Sequence, residues 1–251
     1  MYSPRLAAAQ SNSIRGDIEG NVAHHVELAE AAAKHGTRLV VFPELSLTGY
    51  EPELARKLAL SVTDPRLRPL FEVAKSRGIT IIAGAPTLTK AGLHIAAFVF
   101  QPTAETLIYT KHYLHKGEEP YFTPGMIRPI IELDNERVSL AICADTTHPS
   151  HAAEAARTGA SVYAAGVLIT PNGIEADSSQ LKGYAVEHRM VVVMANHASP
   201  TGGWASAGRS AIWDEDGREV VVAPGAGEVI LIAGQVDGML HGELLHPGFR
   251  Q

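Results

Sequence analysis

The chain has very little of several features, and each shortage excludes a class of protein. Cys143 is the only cysteine in 251 residues, so no disulfide forms within the chain, which agrees with a reducing compartment. No apolar run reaches the ~18 residues of a membrane span, and the start MYSPRLAAAQSN has no apolar stretch of a secretory signal. We therefore expect a cytoplasmic protein that does not interact with membranes.

Positive charge is also scarce. The chain has 21 basic and 27 acidic residues, a formal net charge of −6, and no run of Lys or Arg that would follow a phosphate backbone. Nucleic acid is therefore not an expected partner. With 45% hydrophobic residues and no linker rich in Pro, Gly or Ser, the chain is predicted to form a single domain over residues 1–251.

Buried strands and helices alternate along the sequence. Helices and hairpins together favour a layered α/β fold over an all-parallel sheet. The predicted strands include LAAAQ, RLVVF, ITIIAG, SVYAA and VVVMAN. Helices are predicted from an N-cap at Asp17 to Gly36, from an N-cap at Asp64 with Pro65 to Gly78, from Ser150 to Arg157 and from Asp177 to His188. Hairpins are predicted to turn at Pro102-Thr103, Asp134-Asn135 and Asp216-Gly217.

Three segments put a reactive side chain directly after an apolar strand, where sites collect in α/β sheets. They are FPELSLTGY with Glu44, YTKHYLHKGEEPYFTPG with Lys111, and SLAICADTTHP with Cys143. A neighbouring ammonium lowers the pKa of a thiol, and a carboxylate can take its proton, which makes the sulfur a nucleophile. Lys111 and the backbone N–H of Ala144 could then stabilise negative charge that develops on the attacked group.

These segments resemble the three signatures of the nitrilase superfamily, the carbon–nitrogen hydrolases, and they occur in the family's order of Glu, Lys and Cys. GYAVEHRMVVVMAN and GRSAIWDEDGRE resemble later blocks of the family, so the similarity covers nearly the whole chain. The resemblance implies a four-layer α-β-β-α sandwich, a homodimer or higher homo-oligomer formed through a helical layer, and a hydrolase that needs no cofactor.

The resemblance also implies a role for each matching residue. Cys143 is expected to be the nucleophile that forms a thioester, Glu44 the general base, and Lys111 the partner of the oxyanion. Many members have a second glutamate shortly after the lysine that positions the substrate. The spacing along the sequence between this second glutamate and the PG of YFTPG favours Glu118. The adjacent Glu119 remains a candidate for contact with the substrate.

The substrate class is read from the residues around the cysteine. True nitrilases commonly follow it with Trp-Glu, whereas this chain has Ala144-Asp145, which is closer to the Cys-x-Asp of amidases and carbamoylases. We therefore expect a small linear amide or N-carbamoyl compound as substrate, with release of ammonia. Tyr50, at the end of FPELSLTGY, and Trp204, in the glycine-rich TGGWASAGRS, are candidates for contact with the substrate.

Each of these residues also has a simpler interpretation. A lone cysteine at the end of an apolar strand is often inert core, Glu44 can cap a turn, and Lys111 can be a solvated strand end. Asp145 either orders the loop after the cysteine or caps the helix near Ser150, and the capping interpretation is favoured. Because membership of a family does not guarantee turnover, a catalytically silent protein that binds a small molecule or a protein partner remains the alternative.

A metal site is not predicted. His24, His25, Glu27 and His35 fall on different faces of the first helix and lack the H-E-x-x-H arrangement, which indicates a solvated face. DEDG begins like a calcium loop but lacks the remaining ligands, which indicates a turn.

Overall fold

The computed structural model describes residues 4–246 and residue 248, and its strands form two β-sheets. One sheet has seven strands in the order β13-β12-β1-β2-β3-β4-β5, and the other has six in the order β11-β10-β9-β8-β7-β6. The strands are β1 Arg5–Gln10, β2 Thr37–Val41, β3 Thr80–Thr89, β4 Gly92–Phe100, β5 Leu107–Thr110, β6 Ile131–Leu133, β7 Glu136–Ile142, β8 Val162–Val167, β9 Val191–Asn196, β10 Ala211–Trp213, β11 Glu219–Val222, β12 Val229–Val236 and β13 Met239–Leu245.

Five α-helices occur in the same part of the chain. They are α1 Ile18–Lys34, α2 Ala55–Leu58, α3 Arg68–Arg77, α4 Pro149–Arg157 and α5 Ile174–His188. Short 3-10 helices cover Pro52–Leu54, Pro65–Leu67 and Cys143–Thr147. None of the helices between residues 4 and 246 is long and apolar enough to cross a membrane.

Three apolar clusters separate four layers. Leu39 of the first sheet and Leu140 of the second belong to the cluster that fills the space between the sheets. Val40, which the pleat turns to the opposite face from Leu39, packs in a second cluster with Leu28 of α1. The outer face of the second sheet forms the third cluster with α4 and α5, including Leu181. The predicted four-layer α-β-β-α sandwich is therefore confirmed.

The central strands explain why their sequences are apolar without alternation. β1, β2 and β3 pair in parallel, and so do β7, β8 and β9. Both faces of such strands are covered, one by the other sheet and one by helices, so almost every side chain is buried. The carboxyl ends of β2 and β7 are the points where Glu44 and Cys143 follow.

Most of the helix predictions are confirmed, with two shifts. Asp17 caps α1 by accepting a hydrogen bond from Gly20 N, and Gly78 ends α3 with φ 65°. The helix predicted to begin at Asp64 is divided, because Pro69 lacks the N–H that would continue the first turn, so a 3-10 turn precedes α3. Helix α5 begins at Ile174, before the predicted Asp177.

The hairpin of β12 and β13 has no counterpart among the predicted elements. β12 pairs antiparallel with β1, so that Leu6 lies opposite Ala233. The two strands are separated by nearly the whole chain, and a local pattern carries no information about such a pairing. The three hairpins that were predicted are all present, as β4 with β5, β6 with β7 and β10 with β11.

Candidate active site

Two glycines admit the loop that carries Glu44 between the sheets. A Cβ atom on Gly84 of β3 would lie 2.3 Å from Leu45 N, and one on Gly166 of β8 would lie 2.5 Å from Phe42 O. The loop itself turns sharply, with φ 51° at Leu45. Only residues without a side chain allow this close approach, and as a result Glu44 is buried at the interface of the two sheets.

The ammonium group of Lys111 is the centre of the site. Lys111 follows β5, and its backbone N–H donates to Ile95 O of β4 at 2.8 Å. Its Nζ donates to Glu44 Oε1 at 2.7 Å and lies 2.8 and 2.9 Å from the two oxygens of Glu118. All three side chains are buried, so the three N–H groups of the ammonium are satisfied by carboxylate oxygens alone.

Glu118 is held by two further donors. The hydroxyl of Tyr50 donates to Glu118 Oε1 at 2.7 Å, and the backbone N–H of His115 donates to Oε2 at 2.8 Å. Tyr50 is fixed in turn, because its backbone N–H donates to Thr201 Oγ1 at 3.0 Å. Both oxygens of Glu118 are thus fully engaged, which fixes the carboxylate behind the lysine.

The expectation that Glu119 contacts the substrate is corrected. Glu119 is exposed, and its Oε2 accepts a hydrogen bond from the backbone N–H of Gly117 at 2.7 Å. The turn directs adjacent side chains in different directions, so Glu118 is buried on Lys111 while Glu119 lies outside the cavity.

Cys143 lies at a strained turn directly after β7. Its φ is 43°, a left-handed conformation that costs a residue with a side chain on the order of 1–3 kcal/mol and that tends to occur at functional sites. The thiol donates to Leu168 O at 3.6 Å. Ala144 follows at the start of the 3-10 helix, where backbone N–H groups have no partner within the helix.

Asp145 connects the strand of the cysteine to the segment of the lysine. Its Oδ2 accepts from Ile142 N at 2.9 Å and from the hydroxyl of Tyr109 at 2.6 Å. Its Oδ1 accepts from the backbone N–H groups of His112 at 3.0 Å and Tyr113 at 2.9 Å. One buried carboxylate therefore satisfies four donors, one from the second sheet and three from β5 of the first sheet and the segment that follows it.

This set of bonds corrects the interpretation of Asp145 as a helix cap. Helix α4 begins after His148, and no side chain caps it. The role that Asp145 has instead is positional, since it bonds to the residue before Cys143 and to the two residues after Lys111.

Burial controls the protonation of the site. Burial, reinforced by the charge of Glu118, raises the pKa of Glu44 to about 7, although Lys111 opposes the shift. Burial lowers the pKa of Lys111, but the charges of Glu44 and Glu118 outweigh it and hold that pKa above its usual value. The ammonium is therefore charged at neutral pH, whereas Glu44 can gain or lose a proton there.

The pKa of the Cys143 thiol shifts in the direction opposite to the one expected from its lysine neighbour. Burial and the charge of Glu44 raise this pKa well above its usual value, and Lys111 offsets only part of the effect. The thiol is therefore protonated at rest. Glu44 Oε2 is buried without a hydrogen-bond partner among the described residues, and the nearby thiol of Cys143 opposes the rise in the pKa of Glu44.

One cavity of about 260 Å³ lies beside the buried ammonium of Lys111 and reaches most of the other side chains of this site. Glu44, Glu118, Cys143, Ala144 and Tyr50 all line it. The glycine-rich loop adds the indole of Trp204, which is 50% exposed. The volume lies below the usual range of cavities for drug-sized ligands, which indicates a small ligand.

Sequence reasoning missed His197, which supports the Glu44 loop from the end of β9. Its Nε2 bonds to the carbonyl oxygen of Glu44 at 2.7 Å, and burial lowers its pKa to about 4, so the ring is neutral and donates to this acceptor. The strand–His pattern VVVMANH gives no local signal for this contact.

The two histidines of α1 form hydrogen bonds within the protein, and the expectation of a solvated face is wrong for His25, which is fully buried. His25 is buried between Asn21 O at 2.7 Å and Ser46 Oγ at 2.9 Å, and His24 bonds to Glu228 Oε1 at 2.6 Å. Across residues 4–246 no group of three or more His, Cys, Asp or Glu side chains has the arrangement of a metal site.

Known proteins resemble this chain over most of its length. The sequence profile of the carbon–nitrogen hydrolase family matches residues 5–239. A hydrolase of Mycobacterium tuberculosis is 30% identical over 240 residues, which are 92% of this chain and 85% of that protein. The glutamine-dependent NAD(+) synthetase of Thermotoga maritima is 30% identical over 166 residues, or 63% of this chain, but the match spans only 28% of the synthetase.

Solved structures of an amidase from Nesterenkonia sp. AN1 have the same fold. A cysteine-to-alanine mutant of that amidase, described as a member of the nitrilase superfamily, superposes with a TM-score of 0.84 at 25% identity, covering 94% of this chain and 92% of the other. The same amidase after removal of its tag gives a TM-score of 0.84 at 26% identity, covering 94% of each chain.

Replacement of Lys111 should destabilise the fold in a manner that depends on pH. Lys111→Ala leaves Glu44 and Glu118 buried without their cation, and we expect the free energy of unfolding to fall by about 3–5 kcal/mol at pH 8. The loss should be smaller at pH 5, because the unpaired carboxyls then take up protons in the folded state. Urea unfolding at the two pH values measures both quantities.

The matched control is Lys116→Ala, since Lys116 is exposed in the same segment. Equal stability of Lys111→Ala and wild type at pH 8 would contradict the structural role of the ammonium.

Proposed function

The chain belongs to the carbon–nitrogen hydrolase family, and from this premise we propose that it hydrolyses a small linear amide or N-carbamoyl compound and releases ammonia. One observation carries the proposal. Glu44 and Glu118, both hydrogen-bonded to the buried ammonium of Lys111, line a small cavity together with Cys143, the only cysteine of the chain. This combination provides a nucleophile, a base with a pKa of about 7 and a fixed positive charge.

In the first half of the proposed reaction, the sulfur of Cys143 attacks the carbonyl carbon of the amide while Glu44 takes the thiol proton. Because the resting thiol is protonated, base assistance at the moment of attack is needed. The backbone N–H of Ala144 donates to the oxyanion, an effect of about 10²–10³ in rate per donor in known enzymes, while Lys111, whose N–H groups bind Glu44 and Glu118, stabilises the oxyanion through its positive charge. Glu44 then delivers the proton to the nitrogen and the C–N bond breaks. Ammonia is released, and the acyl group remains on Cys143 as a thioester.

In the second half, a water molecule attacks the thioester carbon and Glu44 takes a proton from it. The C–S bond breaks, the carboxylic acid leaves, and the sulfur of Cys143 regains its proton from Glu44. Glu118 does not exchange protons in this scheme, since both its oxygens accept hydrogen bonds from Lys111, Tyr50 and His115. It keeps the ammonium in position through both steps.

Amides suit the residues that follow the cysteine. The small side chain of Ala144 lines the cavity and leaves room beside the sulfur, while the carboxylate of Asp145 is occupied by four donors and does not face the ligand. The solved structures that this chain resembles include those of an amidase. The volume of about 260 Å³ favours a short acyl chain.

The single domain, the homodimer and the cytoplasmic location expected from the sequence stay predictions.

The proposed function is tested by ammonia release from a panel of short amides and N-carbamoyl compounds. Wild type should release ammonia, and Cys143→Ala should release it at least about 10³-fold more slowly, because the covalent route is then closed. Equal rates for the two proteins would remove the covalent mechanism. No release by wild type from any compound of the panel would favour the catalytically silent alternative.

The pH dependence of kcat/KM tests the role of Glu44. Activity should increase with pH through a limb near 7, since burial raises the pKa of Glu44 to about 7 and a base must be deprotonated to act. Glu118→Gln removes a negative charge that contributes to this shift, so the limb should move to lower pH.

Glu119→Gln serves as the control, because Glu119 is exposed and lies outside the cavity, and its profile should match wild type. A limb in Glu118→Gln that stays in place or moves to higher pH would contradict the assignment.

A further inference from the structure

The cavity contains one carboxylate that the proposed reaction does not use. Asp177 lies in the first turn of α5 and lines the same cavity as Cys143 and Trp204. Its side chain is half-buried, so the carboxylate is partly withdrawn from water at a place where a ligand would bind. Its position in the cavity raises the question of which group it would bind.

Stabilisation of the N-terminus of α5 by negative charge does not explain why Asp177 lies in the cavity. Negative charge is stabilised at the start of any helix, and Glu175 in the same turn provides it from an exposed site, in an ion pair with Arg209. Asp177 has no such pair. Among the residues that the structure describes, none donates a hydrogen bond to its carboxylate or forms an ion pair with it. The two acidic residues of this turn therefore differ in what they can bind.

The neighbouring backbone leaves the carboxylate open to the cavity. Gly173 precedes α5 and also lines the cavity, and a Cβ atom at this position would lie 3.3 Å from Asp177 Oδ2. Its backbone has ordinary right-handed angles, so a larger residue would be allowed by conformation but would press on the carboxylate. Glycine here keeps one side of Asp177 accessible to a bound molecule.

The charges of the site attract a cation. Glu44, Glu118 and Asp177 bring three carboxylates to the cavity, and Lys111 supplies one buried ammonium in return. Burial raises the pKa of Asp177, and His115, which also lines the cavity, opposes the rise. The face of the half-exposed indole of Trp204 is a second favourable place for a positive group.

We propose that Asp177 determines specificity by binding a protonated amine at the far end of the acyl chain, so that the preferred substrates are short ω-amino amides or the corresponding ureido compounds. This inference rests on the proposed amide hydrolysis. An ammonium group donates hydrogen bonds to the carboxylate of Asp177 while the amide carbon lies at Cys143. An anionic acyl end meets three carboxylates and is disfavoured.

Three linear amides of similar length test this with the wild-type protein alone. They are 4-aminobutanamide, which is cationic, pentanamide, in which a methyl group replaces the ammonium, and succinamate, which is anionic. We expect kcat/KM for 4-aminobutanamide to exceed that for pentanamide by about tenfold or more, the effect of one hydrogen bond to a charged group. Succinamate should be the poorest of the three.

Variants assign the preference to one side chain. Asp177→Asn should reduce the ratio of kcat/KM between 4-aminobutanamide and pentanamide towards one, and Asp177→Lys should favour succinamate over 4-aminobutanamide. Glu175→Gln removes a charge from the same helical turn outside the cavity and should keep the wild-type ratio. Thermal unfolding of each variant shows that the comparison is between folded proteins.

The outcomes separate this inference from the proposed function. Hydrolysis of pentanamide as fast as 4-aminobutanamide by wild type would overturn the inference and leave amide hydrolysis intact. An unchanged ratio in Asp177→Asn would also overturn it, because the preference would then arise elsewhere. Hydrolysis of none of the three amides, nor of their N-carbamoyl counterparts, would overturn the proposed function and the inference together.

Discussion

The ammonium group of Lys111, enclosed by two carboxylates, is the interaction on which the rest of the site depends. A buried charge is tolerated only when its partners satisfy it closely, and here Nζ lies 2.7 to 2.9 Å from three carboxylate oxygens. Each partner then needs support of its own. Gly84 and Gly166 admit the loop of Glu44 between the sheets, and Tyr50 holds Glu118 from the other side.

The same constraint gives the site its chemistry. Burial and the charge of Glu118 raise the pKa of Glu44 to about 7 although Lys111 opposes the shift, so Glu44 is suited to exchange protons. The thiol of Cys143 keeps its proton for the same reason, which favours attack assisted by a base over a thiolate formed in advance. Asp145 fixes the position of Cys143 relative to Lys111, since it bonds to the strand before the cysteine and to the segment after the lysine.

The sequence predicted those parts of the molecule that depend on local patterns. Apolar runs located the central strands, and Asp17 and Gly78 located helix ends, because each acts within one turn of the backbone. The three signatures located Glu44, Lys111 and Cys143. Asp145, His197 and Asp177 were misread or missed because their roles come from contacts between distant segments. The direction of the shift in the pKa of Cys143 was misread for a related reason, since burial cannot be read from neighbouring letters.

The central claim is that Cys143 becomes acylated with loss of ammonia while Lys111 and Glu44 hold and activate the reacting groups. The most direct test mixes the protein with butanamide, stops the reaction with acid within milliseconds and measures the mass of the intact protein. The account predicts an added mass equal to that of the amide minus ammonia, located on Cys143 by peptide mapping. Release of ammonia with no added mass at any time, or with the added group on another residue, would contradict it.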